Sequence, residues 1–385
     1  MRIEAPKDEI VSLTSLRGIA ALFVVFHHYS PILRPAVDIH GMTKFFQFGG
    51  VWVSFFFLLS GYILAEVYYE RMRAGRTDTR RFLLARLIRI YPLHLFMLLV
   101  MLAVEFAKFG MEIGFDVDVG AFSDKNSLPA FIANLFLVQT WGLGLDLTWN
   151  SPAWSISVEW ACYLLFPLVL GARILDRTWG AALVAIVGAS YWVLQVPILQ
   201  ALRESGIDPN RFDALLGGFA LFLLGMALHR LSHARKLPNA AVLSVVQVAT
   251  FALTIYFLHV GTANWHLLPL FVLLIVTTRE DRGALCAFLK LGPVYRLGVI
   301  SYSVYLTHLL FAMVFSPDVG KILPFMNALR AEPLGAWASF GAALTATIVF
   351  SIFTYEFIER RVRIALTARL LGPKPARSSR ASVSA

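Results

Sequence analysis

An arginine and a histidine eleven residues apart, Arg17 and His28, stand in the apolar run LRGIAALFVVFHHYS. A helix would place both on one face, about 20° off full alignment and about 16 Å apart along the axis. A histidine so placed is a general base, or a structural partner hydrogen-bonded between helices. The arginine is a ligand-binding group, or a snorkelling anchor at the membrane edge. His27 points to another face and reads as structural. A second run, ARLIRIYPLH, sets Arg86 and Arg89 one turn apart, just past a basic loop. Two guanidinium groups on one face make a two-pronged site suited to phosphate. Pro92 just above them is expected to kink the helix and open room for a ligand. A third run, SPAWSISVEWACY, carries Glu159 between Trp154 and Trp160, with Ser155 one turn earlier. Glu159 is expected to orient His28, to bind substrate hydroxyls, or to serve as a structural hydrogen-bond partner. A fourth, GVISYSVYLTHLL, brings Ser301, Tyr305 and His308 onto one face, a polar stripe that lines a cavity or a helix interface. In YEFIERRVR, Glu356 pairs with Arg360 and Glu359 with Arg363 at helical spacing; Glu359 is alternatively a partner for Arg86 or Arg89. The Ser60-Gly61 pair reads as helix packing.

The elements that must position these groups are membrane spans. Of the 385 residues, 58% are hydrophobic and only 15% charged, and the mean hydropathy is +0.68. That excludes a water-soluble enzyme, a disordered scaffold and a nucleic-acid-binding domain. Runs of about 20 apolar residues, enough for a ~30 Å hydrocarbon core, recur near 13–33, 48–69, 82–107, 152–172, 179–198, 212–229, 239–260, 264–278, 296–316 and 335–358. The fold class expected is therefore all-α: a polytopic membrane bundle of about ten helices. A short apolar piece, 129–143, is read as re-entrant or interfacial. With that assignment 26 of the 34 Lys and Arg fall on one side, which places both termini in the cytoplasm. The first span lacks a small-residue cleavage site and reads as a retained helix. Residues 1–366 form one transmembrane domain, and 367–385 a basic, Ser-rich, disordered tail. Cys162 and Cys286 suggest neither a disulfide framework nor a metal cluster.

Six ordered segments carry a resemblance: the Arg17-to-His28 spacing, FFLLSGY from Phe56 to Tyr62, RLIRIYP from Arg86 to Pro92, WSISVEW from Trp154 to Trp160, SYSVYLTH from Ser301 to His308, and the terminal segment around Glu356 and Glu359. In order and spacing the chain resembles the acyltransferase 3 family of integral membrane acyltransferases, from about Val11 to Arg363. The resemblance implies transfer of an acyl group, usually acetyl, from cytoplasmic acyl-CoA to a hydroxyl of an envelope or secreted carbohydrate or lipid-linked glycan. It also implies a bacterial cytoplasmic (inner) membrane location and a stand-alone form without a hydrolase-like domain. It makes His28 the catalytic candidate and implicates Arg17, Arg86 and Arg89 in function. From the residue chemistry, Arg86 and Arg89, together with Arg17, are expected to hold the donor phosphates, and Glu159 or His308 to orient His28 or touch the acceptor. No metal is expected. The terminal segment departs from the family pattern, because Arg360 rather than Pro follows Glu359. The rival reading is a secondary transporter, which also uses midplane His, Glu and Arg. It predicts inverted-repeat halves, and the sequence shows no convincing internal repeat. A purely structural or export-partner membrane protein is a further rival.

Overall fold

In lipid an apolar stretch can satisfy its backbone only within itself, and helix forms along each of these runs. The structure is a computed structural model. It describes residues 9–34, 36–115, 120–143, 145, 148–204, 210–261, 266–316, 319 and 323–372. Its first half contains α1 (Val11–Tyr29), the single turn α2 (Ile39–Met42), α3 (Val51–Arg73), α4 (Thr79–Phe115), the short α5 (Leu128–Leu135), α6 (Trp154–Gly171) and α7 (Thr178–Glu204). Then come α8 (Asn210–His233), α9 (Ala240–Val260), α10 (Leu267–Thr278), α11 (Ala284–Leu289), α12 (Gly292–Val299), α13 (Ser301–Val314), α14 (Pro324–Arg330) and α15 (Pro333–Thr354). A π-helical turn, Tyr355–Arg360, runs on from α15 into α16 (Arg361–Leu371). No strand occurs among the described residues. The protein is an all-helical, integral membrane bundle.

Eight of these helices are long and apolar enough to cross a membrane, or nine if α12 and α13 count as one broken span. The straight span expected over 296–316 is instead two helices bent by 73°. The run expected over 264–278 is the 12-residue α10, short for a full crossing. The segment 129–143 holds no spanning helix, only α5 and turns. Residues 367–371, counted above with the tail, prolong α16. The tail from Pro373 lies outside the described residues.

Local chemistry sets several helix ends. Asn239 caps α9 by accepting the Val242 N–H at 3.0 Å, and the helix stops at Gly261, where φ is +75°. The N-terminus of α1 is capped from far away: Asp281 accepts the N–H groups of Val11 at 3.1 Å and Ser12 at 2.8 Å. A carboxylate there satisfies orphan donors and complements the helix dipole. The Ser15 hydroxyl adds a bond to the Leu289 carbonyl at 2.7 Å, so α1 is tied to the segment around α11.

The core forms where α3 packs on α8 and α1 packs on α12 and α13. Trp52, Phe55 and Phe271 interlock with ring centroids 5.1–5.6 Å apart. Both helix crossings depend on bare backbone. A Cβ on Gly61 would lie 2.0 Å from the Phe222 carbonyl oxygen, and one on Gly225 would lie 2.0 Å from that of Leu58. This is the packing role expected of Gly61. A Cβ on Gly298 would lie 2.2 Å from the Thr14 carbonyl oxygen, and one on Gly18 would lie 2.5 Å from the Gly298 nitrogen. The break after α12 therefore occurs where that helix rests directly on the backbone of α1.

Candidate active site

The arginine half of the site is a cavity of about 140 Å³. Five helices wall it: α1 through Arg17, α3 through Phe56, Ser60 and Leu64, α4 through Arg86 and Arg89, α6 through Ser155, Glu159 and Tyr163, and α13 through Ser301, Tyr302 and Tyr305. All three arginines singled out in the sequence thus meet in one place, and so do Glu159 and two members of the Ser301–Tyr305–His308 stripe.

The three guanidinium groups are not equivalent. Arg89 is ion-paired through Nη1 with Glu359, whose side chain is 1% exposed. The other oxygen of Glu359 accepts from the Ser303 hydroxyl at 3.1 Å, and Arg363 lies 3.9 Å from the first. Glu359 sits in the π-helical turn, a distortion that re-aims a side chain relative to a regular helix. Arg86 donates through Nη2 to the Tyr68 hydroxyl at 2.9 Å. Its guanidinium carbon is 5.0 Å from the Tyr68 ring centroid and 6.0 Å from that of Tyr163. Among the described residues Arg17 has only a long contact from Nη2 to the Thr14 hydroxyl, at 3.5 Å. The Nε atoms of both Arg17 and Arg86 are buried without a partner among the described residues. An unsatisfied buried donor costs about 1–3 kcal/mol, and more when it is charged. Two such donors in one cavity wall suit an anionic or strongly accepting ligand.

Glu159 is placed differently from one sequence reading. Its Oε1 accepts from the Tyr163 hydroxyl at 2.5 Å and from the Ser60 hydroxyl at 3.4 Å. Both partners belong to the arginine cavity, and no bond joins Glu159 to His28 among the described residues. The carboxylate therefore lies with the arginines, and among the described residues it makes no direct contact that would orient the histidine.

His308 is the residue in contact with His28. Its Nδ1 donates to the Tyr305 carbonyl at 2.7 Å, and its Nε2 lies 3.2 Å from His28 Nδ1. His28 Nδ1 also donates to the Val24 carbonyl at 3.0 Å. Because carbonyl oxygens only accept, both Nδ1 atoms carry the proton. In the neutral rings, the single His28 Nδ1–H is shared between the Val24 carbonyl and the His308 Nε2 lone pair. The basic nitrogen of His28 is then Nε2, which has no partner among the described residues. A fully buried group holding one ring nitrogen while the other stays free is the arrangement that orients a general base. The His308 ring is fixed in turn: Tyr29 donates to the His308 carbonyl at 3.0 Å and bonds Thr347 at 2.5 Å. His27, by contrast, bonds the Phe46 carbonyl at 2.6 Å and is structural, as its position on another face suggested.

Tyr305 belongs to both halves. Its carbonyl positions His308, and its ring lines the arginine cavity, with the hydroxyl bonded to Ser155 at 2.8 Å. Sequence reading passed over Tyr68, Tyr163 and Tyr302. Tyr163 had a usable signal, since it follows Glu159 by one helical turn. Tyr68 and Tyr302 meet the arginines only through tertiary packing.

Residues 10–356 match the model of the acyltransferase 3 family, described as an acyltransferase domain. The chain belongs to this family. Its relatives include a protein named acyltransferase MdmB from Streptomyces mycarofaciens, 27% identical over 90% of each chain. A peptidoglycan O-acetyltransferase, OatA, from Listeria monocytogenes is 23% identical over 92% of this chain, which spans 56% of that relative's length. A third, named protein 2 in picA locus, from Rhizobium radiobacter, is 30% identical over 40% of this chain and 80% of its own. No solved structure matches. The protein is a membrane O-acyltransferase. The family match stops short of Glu359, the partner of Arg89.

Proposed function

We propose that this acyltransferase 3 protein moves an acyl group, acetyl by preference, from cytoplasmic acyl-CoA to a hydroxyl of an envelope or secreted carbohydrate, free or lipid-linked. The observation that carries this reading is the arginine cavity, with two guanidinium Nε donors and, in the same bundle, a histidine Nε2 that have no partner among the described residues. The names of the relatives support it: one is an acyltransferase and another a peptidoglycan O-acetyltransferase. The bias of Lys and Arg to one side supports a cytoplasmic, donor-side position for the arginines.

In this reading Arg17 and Arg86 bind the donor phosphates, and Arg89, held by Glu359, lends charge behind them. The acyl end reaches toward Tyr305. His28 Nε2 takes the proton of the acceptor hydroxyl as its oxygen attacks the thioester carbonyl. The C–O bond forms, the C–S bond breaks, and the leaving CoA thiolate recovers the proton from His28. His308 accepts the His28 Nδ1–H bond throughout and stabilises the imidazolium that forms, the part a carboxylate plays in a hydrolase triad. A covalent acyl-histidine on Nε2 uses the same geometry with two transfers in place of one.

The donor half is tested by Arg86→Lys. A lysine keeps the charge over the Tyr68 ring and loses the planar fork. Losing one charge-assisted hydrogen bond, about 1.5–3 kcal/mol, raises the KM for acyl-CoA roughly 10- to 100-fold and changes kcat less. An unchanged KM would remove Arg86 from the donor site.

A further inference from the structure

Away from the cavity, His229 and His233 stand one turn apart on α8 and face Glu66 of α3. Both Nε2 atoms converge on the same carboxylate oxygen, Glu66 Oε2, at 3.0 Å and 3.1 Å. All three potential ligand atoms lie within 4.8 Å of one another. The imidazole centroids are 4.2 Å apart, too close for both rings to be cationic without mutual repulsion. As hydrogen-bond donors the two histidines share one carboxylate oxygen, whose two lone pairs can serve both. With both Nε2 atoms deprotonated, a single dication takes the two histidine lone pairs and the carboxylate at once.

The dimensions suit a transition metal. Ligands about 2.0–2.1 Å from a tetrahedral centre stand about 3.3 Å apart, close to the two observed His–Glu separations. Two histidines at i, i+4 with a carboxylate from a second element is a recurrent zinc donor set. The site is reachable, since the side chains of His233 and Glu66 are 46% and 33% exposed. Arg279, which acts electrostatically on Glu66, is itself 3.7 Å from Glu280. Tyr62 packs its ring 5.4 Å from His229 and supports that side chain.

We propose that Glu66, His229 and His233 form a divalent transition-metal site of the zinc class, with an open position for water, that clamps α3 to α8. These are the helices whose backbones touch at Gly61 and Gly225. Ser60 and Leu64, on the same helix as Glu66, line the arginine cavity. Metal at this position holds that wall without taking part in the transfer.

The test uses the full chain in detergent, purified through a tag without histidines, stripped with chelator and titrated with Zn2+. Wild type is expected to bind about one ion per chain and to unfold at a higher temperature with zinc than without. Glu66→Gln and His233→Gln, at partly exposed positions that tolerate the change, each lose affinity by more than about 100-fold and lose the thermal shift. A wild-type chain that binds no zinc overturns the proposal, as does binding that persists in both variants.

Discussion

Replacing His28 with Gln is expected to leave an acyltransferase that inserts and folds normally but transfers about 10²–10⁴-fold more slowly. Gln matches the histidine in length and keeps a donor toward the Val24 carbonyl, which His28 Nδ1 now serves at 3.0 Å. It cannot take up a proton. The loss should therefore appear in kcat, with the KM for acyl-CoA nearly unchanged, because the donor arginines belong to a separate part of the site. His308→Gln keeps the basic nitrogen of His28 and the Val24 carbonyl that fixes its tautomer, and removes only the ring that shares the Nδ1–H, so the loss there is smaller. Assaying transfer with equal amounts of detergent-purified protein checks this. Turnover in the His28→Gln enzyme within a few-fold of wild type would exclude His28 as the base.

Arg89→Ala is expected to act on the fold before it acts on the reaction. Glu359 is 2% exposed, and Arg89 is its close ion-pair partner, with Arg363 further off at 3.9 Å. Breaking a buried pair from one side strands the other charge and costs about 3–5 kcal/mol. The variant should therefore be poorly recovered from the membrane and unfold at lower temperature. Pairing Arg89→Ala with Glu359→Ala removes both charges and should recover much of that stability. A double-mutant cycle on unfolding temperature measures the coupling. The double variant should still lose activity, since the cavity wall is then short of one guanidinium. If Arg89→Ala alone is as stable as wild type, Glu359 does not depend on it and the proposed support for the donor site is wrong.

The apolar runs and the ordered polar motifs were legible because membrane spans leave few places where a charge can stand. Arg17, Arg86, Arg89 and Glu159 stood out for that reason, and they do meet. What each one touches was not legible. The preference of Glu159 for Tyr163 and Ser60 over His28 is set by how α6 packs on α3. That Glu359 could hold Arg86 or Arg89 was legible, and it does hold Arg89; the choice between them depends on a π-helical turn that no residue in YEFIER announces. The bend after α12 was invisible too. Its segment, GVISY, has no proline, and the break arises where Gly298 meets the backbone of Thr14, far away in sequence. Two further features carried signals that were passed over. Glu105, inside a span, is 1% exposed and gathers the Phe122 N–H at 2.6 Å, the Asn126 amide at 2.9 Å and Lys108 at 2.8 Å. His229 and His233, in HRLSH at a span end, had the i, i+4 spacing of metal ligands, but their carboxylate comes from another helix.

The claim that joins both halves of the site is that acyl-CoA is consumed at His28. The direct measurement is release of free CoA thiol by purified protein in detergent, with acetyl-CoA, an envelope glycan fraction and no ion gradient. The account predicts thiol release in step with a mass gain of one acetyl group on the glycan, both slowed about 10²–10⁴-fold in the His28→Gln enzyme. Thiol release of equal rate in wild type and His28→Gln, or none from either, would contradict it.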